Sequence, residues 1–213
     1  MVLAYALGQL IPTSRGGSGG LLILGSANVD ECLRGYLTKY DCSSADLNPI
    51  GGISKTDLKR FIKWAELNFK LPILQEFLDA VPTAELEPIT ETYVQSDEAD
   101  MGFTYDELSI LGRLRKTFKL GTVGMFERLV VEWKERKPRD VAQKVLDFMR
   151  FYAMNRHKMT TMTPGLYLES YTPDDNRYDL RPFLYPIWFP FERKKVLDMV
   201  DKMEKGQAGA NGA

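Results

Sequence analysis

Gly20 and Gly25 bracket the run Leu21-Leu22-Ile23-Leu24. A short, unbroken apolar run between glycines predicts a strand covered on both faces, as in parallel sheets. Such a strand needs a partner on each side for its backbone N–H and C=O groups. The 213 residues offer no second run of this kind. Either the run is not a strand, or the chain is the second part of a larger domain that supplies the partners.

A chain of this length suits one domain, with room for a small appendage. It can bury roughly 70% of its unfolded surface, so it needs no disulfide staples. The 28 Lys and Arg nearly balance the 29 Asp and Glu. Without a broad basic field, nonspecific nucleic-acid or membrane-surface binding loses its main driving force. The two cysteines, Cys32 and Cys42, lack zinc-ligand spacing and suit a reducing, cytoplasmic setting. No apolar run approaches the ~20 residues that span a bilayer. The opening MVLAYALGQLIP lacks a basic leader and reads as a core helix.

Met1–Leu10 reads as helical, with Pro12 expected to stop it. TSRGGSGG reads as a flexible connector, since it lacks the Lys-Ser/Thr ending of a phosphate loop. Lys55–Phe69 predicts a helix capped by Ser54, with Leu58, Phe61, Ile62, Ala65 and Phe69 on its inner face. Pro72–Ala80 predicts a shorter one. From Val81 to about Met101 the chain reads as a long acidic loop, a length usually reserved for function or motion. Three helices follow, over Thr104–Phe118, Met125–Lys137 and Pro138–Asn155. Leu108, Leu111 and Leu114 line the first, Phe126 and Trp133 lie on the apolar side of the second, and Pro138 opens the third. Five prolines from Pro164 to Pro190 make the next stretch irregular. A last helix is expected over residues 191–204 and a disordered tail over 205–213.

Several residues could handle a charged ligand. GSANVDE directly follows the apolar run, and ligands of open α/β sheets sit beyond the carboxyl ends of strands. Ser26, Asn28, Asp30 and Glu31 would then be well placed. The same residues also read as a helix N-cap with acidic groups favouring its dipole. Lys39 and Lys55 could hold an anion as point charges, and Lys55 lies at a helix start, where N–H groups attract phosphate. Glu31 could hold Mg²⁺ through one carboxylate. Thr83, in a turn after Pro82, could bond a phosphate. His157, the only histidine, is followed by Lys158, a cationic pair. Taken singly, each is equally a surface charge, a turn hydroxyl or a satisfied histidine.

Longer motifs carry more. LGSANVDECLRGYLTKYDCSSADLNPIGGISKTDL, VPTAELEP, DEADMGFTYDELSILGRLRK, NRHKMTT and DDNRYDLRPFLYP closely resemble the synthetase domain of eukaryotic-type glutamine-dependent NAD⁺ synthetases. The resemblance covers nearly all of residues 1–190. It implies an α/β fold: part of an adenine nucleotide alpha hydrolase-like (ATP-pyrophosphatase) parallel-sheet fold, mostly helical in this portion. It also implies a ligase that makes NAD⁺ from deamido-NAD⁺, ATP and ammonia through an acyl-adenylate, with Mg²⁺ on the phosphates. In the family a glutaminase domain supplies the ammonia, and the enzymes are homo-oligomers.

By similarity, Glu31 is the Mg²⁺ ligand, and Ser26, Lys55 and Thr83 contact ATP, with Lys55 also counted as catalytic. Tyr36, Lys39, Asp46, His157 and Lys158 surround deamido-NAD⁺. Ammonia-dependent bacterial relatives place an acidic residue and two glycines after the aromatic matching Tyr40. Here the run is Asp41-Cys42-Ser43-Ser44, so Asp41 is the candidate for deprotonating ammonium. The family's Ser-Gly-Gly-x-Asp-Ser phosphate loop and the glutaminase domain do not occur in these 213 residues. Residues 1–190 therefore match the C-terminal part of the ligase domain. The other reading is a truncated paralogue that binds nucleotide, or serves as an interaction module, without turnover.

Overall fold

The computed structural model describes residues 1–40, 44–83, 96–166, 171–173 and 187–210, with side chains to residue 206. They fall into two compact units. Unit 1 comprises Met1–Ile110 with Thr163–Pro173, and unit 2 comprises Leu111–Met162 with Asp174–Ala213.

Unit 1 begins with α1 (Val2–Ser14), which runs through Pro12 rather than ending there. A proline inside a helix leaves the carbonyl four residues back without its donor. That carbonyl is Gly8 O, and the N–H of Leu21 donates to it at 2.8 Å. The lost helical bond is thus replaced from the next segment, and the helix continues for two more residues.

The expected buried strand at Leu21–Leu24 does not form. Leu21, Leu22 and Leu24 are 52%, 63% and 58% exposed. The run makes one isolated parallel bridge, Leu24 to Leu47, and a second joins Asn48 to Gly165. The reason is local. The N–H of Ile23 donates to the Asp46 carboxylate at 2.8 Å rather than to a backbone carbonyl. The N–H groups of Asp46 and Leu47 both converge on Ile23 O. A side chain takes one rung of the ladder, and no regular strand occurs among the described residues.

Four helices complete the main part of this unit: α2 (Val29–Arg34), α3 (Lys55–Phe69), α4 (Leu74–Asp79) and α5 (Asp97–Met101). The last lies in the stretch read as an acidic loop. It is five residues long, too short for periodicity to reveal, and Gly102 in the left-handed region ends it. The expected bounds of α3 hold, as does its Ser54 cap, which accepts from the Asp57 N–H. Its expected inner face does not hold throughout. Ala65 is buried, whereas Phe61 and Phe69 are more than half exposed. Trp64 lies between their rings, stacked on Phe61 and edge-on to Phe69.

The division between the units falls within α6 (Tyr105–Lys116). The expected inner leucines, Leu108, Leu111 and Leu114, are all buried. Unit 2 continues with α7 (Thr122–Glu132), α8 (Pro138–Met154), the short α9 (Arg156–Met159) and α10 (Pro190–Ala210). Helices α7, α8 and α10 pack on one another. Val141, Val145, Phe148, Met149 and Tyr152 give α8 a buried stripe at helical spacing, facing a core that includes Phe126, Leu129, Val196 and Val200. Each such side chain contributes about 1.5–3 kcal/mol on full burial. Trp133 caps α7 as a half-buried residue under the Arg136 guanidinium, so it is not core. Helix α10 extends past residue 205, into the stretch read as a tail.

Candidate functional site

Three local devices in unit 1 bring ionisable groups together. The first is the N-terminus of α2. Asn28 is its cap, accepting from the N–H groups of Asp30 and Glu31 through Oδ1. Glu31 closes a capping box by accepting from the Asn28 N–H through Oε2. The N-cap reading of GSANVDE therefore holds, and the cap fixes where Glu31 starts.

The second device is Asp30, which is fully buried. Its Oδ2 accepts from the Lys55 N–H at 2.8 Å, and the Tyr171 hydroxyl donates to Oδ1 at 3.4 Å. One carboxylate thus ties the starts of α2 and α3 to the 171–173 segment. This narrows one expectation: the Lys55 N–H is already bonded and is not open to a phosphate. The Asp57 N–H is likewise taken, by Ser54.

The third device is α5. Arg34 donates through Nε and Nη2 to Met101 O, at 3.3 Å each. The Tyr36 hydroxyl donates to Asp100 Oδ2 at 3.0 Å. These bonds hold α5 against the end of α2. At the start of α6, Thr104 and Glu107 form a reciprocal capping pair, and Glu98 accepts from the Tyr105 N–H.

Together these devices assemble a cluster of four side chains. Lys55 Nζ is 3.8 Å from Glu31 Oε1 and 5.3 Å from the centroid of the Tyr105 ring. The Tyr105 Oη lies 2.9 Å from Glu31 Oε1 and 3.0 Å from Asp97 Oδ2. Asp97 is 5% exposed, and its Oδ1 is buried without a hydrogen-bond partner among the described residues. Burial first, then the charge and hydrogen bond of Glu31 and those of Asp97, hold the Tyr105 hydroxyl far above the usual tyrosine range. It remains a donor.

The other expected site residues are placed differently. Ser26 is exposed just before the α2 cap, and Thr83 is half-buried. Lys39 Nζ lies 5.0 Å from the Tyr40 ring centroid. Asp46 is engaged on both oxygens, by the Tyr5 hydroxyl and the Ile23 N–H. His157, exposed, and Lys158, half-buried, belong to α9 in unit 2. Asp41 and Cys42 lie outside the described residues, as does the DDNRYDLRPFLYP motif. Sequence reasoning gave no role to Tyr105, Asp97 or Asp100. The T-x-x-E box at Thr104 was the available signal for Tyr105, since it sets the first turn of α6.

Comparison with known proteins gives the chain a family. Residues 11–161 match the family model for NAD synthase, and the chain belongs to that family. It is 59% identical over 207 residues to the glutamine-dependent NAD(+) synthetase of Saccharomyces cerevisiae, covering 96% of this chain and 29% of the relative. The corresponding protein of Arabidopsis thaliana is 55% identical over 204 residues, covering 95% and 28%. The chain thus spans under a third of the length of these relatives. A crystal structure of a glutamine-dependent NAD(+) synthetase from Cytophaga hutchinsonii shares the fold, with a TM-score of 0.64 at 19% identity, over 92% of this chain and 29% of that one.

Proposed function

We propose that this chain forms part of an ATP-dependent, amide-forming ligase that converts deamido-NAD⁺ to NAD⁺. The observation that carries the reading is the pairing of Glu31 with Lys55 at the starts of α2 and α3, within a chain that matches the NAD synthase family model. A carboxylate is a poor acyl donor. Transfer of AMP to the nicotinate carboxylate, with loss of pyrophosphate, makes a mixed anhydride. Ammonia then attacks its carbonyl carbon and AMP leaves, yielding the amide.

The residues fit Mg²⁺ as a single carboxylate ligand, not as a cage. No group of three or more acidic, histidine or cysteine side chains suited to a metal occurs among the described residues. Mg²⁺ commonly takes one or two carboxylates and completes its shell with waters and phosphate oxygens. Among the described residues, Glu31 Oε2 is held by the 3.4 Å capping contact alone, which leaves lone pairs for a cation. When bound, the ion would supply neutralisation of phosphate charge and help pyrophosphate depart. Lys55, a quarter exposed beside Glu31, would hold a phosphate oxygen by charge. In the same reading Ser26 and Thr83 contact ATP. Tyr36, Lys39, Asp46, His157 and Lys158 serve the dinucleotide, and Asp41 receives a proton from ammonium. A glutaminase domain supplies ammonia, and the enzyme is a cytoplasmic homo-oligomer.

The second reading is nucleotide binding without turnover. It is favoured for the chain by itself, because no Ser-Gly-Gly-x-Asp-Ser motif occurs in its sequence and the Lys55 N–H is occupied by Asp30. Two assays separate the readings. The chain alone, given deamido-NAD⁺, MgATP and ammonium, should form little or no NAD⁺. A hybrid in which it replaces the matching part of the S. cerevisiae relative should form NAD⁺, and Lys55→Ala there should raise KM for ATP about tenfold. A folded hybrid without synthesis overturns the ligase reading. An unchanged KM returns Lys55 to a surface role.

A further inference from the structure

We propose that Tyr105 and Asp97 act as a positioning pair that switches one hydroxyl proton away from Glu31 when Glu31 takes a divalent cation. This deepens the ligase reading and rests on it for the role of Glu31.

The geometry sets up a shortage of protons. Tyr105 Oη has carboxylate oxygens on two sides, at 2.9 Å from Glu31 and 3.0 Å from Asp97. A phenol carries one hydrogen and can donate to only one of them. The hydroxyl hydrogen turns about the C–O bond, so the two arrangements differ by a rotation and no proton leaves tyrosine. With the hydrogen toward Glu31, Oε1 is hydrogen-bonded and its negative charge is partly compensated, with the Lys55 ammonium 3.8 Å away. With the hydrogen toward Asp97, Glu31 Oε1 faces a phenol lone pair and its charge is available to a cation.

Asp97 makes the second arrangement accessible. It is nearly fully buried, it faces Tyr105 through Oδ2, and its Oδ1 has no partner among the described residues. A buried acceptor without a donor is destabilising. Packing alone would favour an apolar residue or an amide there, whereas a carboxylate is the stronger acceptor and competes for the hydrogen. Partners one shell behind a metal ligand orient it and tune its charge in just this manner. The α5 helix carries this acceptor and is fastened by the bonds of Arg34 to Met101 and Tyr36 to Asp100.

The test is a double-mutant cycle on Mn²⁺ binding by the 213-residue chain. Free Mn²⁺ is counted by electron paramagnetic resonance without nucleotide, and folding is checked by circular dichroism. Asp97→Asn keeps the shape but weakens the acceptor, pinning the hydrogen on Glu31. It should weaken Mn²⁺ binding about tenfold. In a Tyr105→Phe background the same substitution should change nothing, because the hydrogen is gone. A merely structural Asp97 would give equal losses in both backgrounds, which overturns the proposal, as does no loss in either. Glu31→Gln separates the levels. If it abolishes binding while Asp97→Asn has no effect, the ligand role of Glu31 stands and the switch fails. If Mn²⁺ binding does not depend on Glu31, both fail.

Discussion

At the scale of single residues, carboxylates organise unit 1 more than its apolar side chains suggest. Asp30 stitches three segments from a fully buried position, Glu31 closes a helix cap and Asp46 replaces a strand rung. Tyr105 gives a pH test. Its hydroxyl stays protonated in the folded chain well above pH 10, whereas an unfolded tyrosine loses its proton near that value. The unfolded state therefore binds fewer protons there, and stability falls as pH rises. In Tyr105→Phe this contribution is absent. The stability advantage of the native chain over Tyr105→Phe should accordingly shrink between pH 8 and pH 11, read by paired urea titrations. A gap that stays constant would show that Tyr105 titrates normally. None of these partnerships is periodic, which is why GSANVDE revealed a cap but not where the carboxylates of Asp30 and Glu31 would point.

At the scale of elements, caps matter more than hydrophobic faces in unit 1. Ser54 and Asn28 are buried N-caps of α3 and α2. Ser54→Ala should destabilise the chain by about 1 kcal/mol, measured by urea denaturation, and should loosen the Lys55 end of α3. A change below the error of that measurement would mean Asp30 alone holds the helix start. Some helix ends were legible, since the bounds of α3 and the proline opening α8 needed only local chemistry, whereas α1 and α10 run past their expected ends and α7 starts and ends before the expected Met125–Lys137. The run at Leu21–Leu24 misled for the opposite reason. Strand formation depends on a partner distant in sequence, and Asp46, 23 residues on from Ile23, took the rung with its side chain. At Pro12 the local rule was overridden in the same way, by a donor from Leu21.

At the scale of the whole molecule, an aromatic face on α3 and its neighbours stands out. Phe61, Trp64, Leu67, Phe69, Ile73 and Phe77 are each at least half exposed. A group of large apolar side chains in water favours association. Sedimentation velocity should show the chain self-associating with rising concentration, and Trp64→Glu should shift it toward monomer. A native chain that stays monomeric across that range would count against this face as a contact. In the sequence, Phe61 and Phe69 stand at helical spacing with Ala65, a pattern that looks the same whether the face meets a core or solvent.

Unit 1 also has a chronology. Its first stretch ends at Ile110, and its second begins at Thr163, where Asn48 meets Gly165 and Asp30 meets Tyr171. Residues 111–162, most of unit 2, must be synthesised in between. At about 5–20 residues per second, a ribosome takes several seconds to pass from one stretch to the other. For that interval the buried Asp30 lacks its Tyr171 donor while α7 and α8 already have the means to pack. Assembly of the two units is thus interleaved: unit 1 must wait for its closing segment at Thr163–Pro173, and unit 2 must wait longer still, for α10.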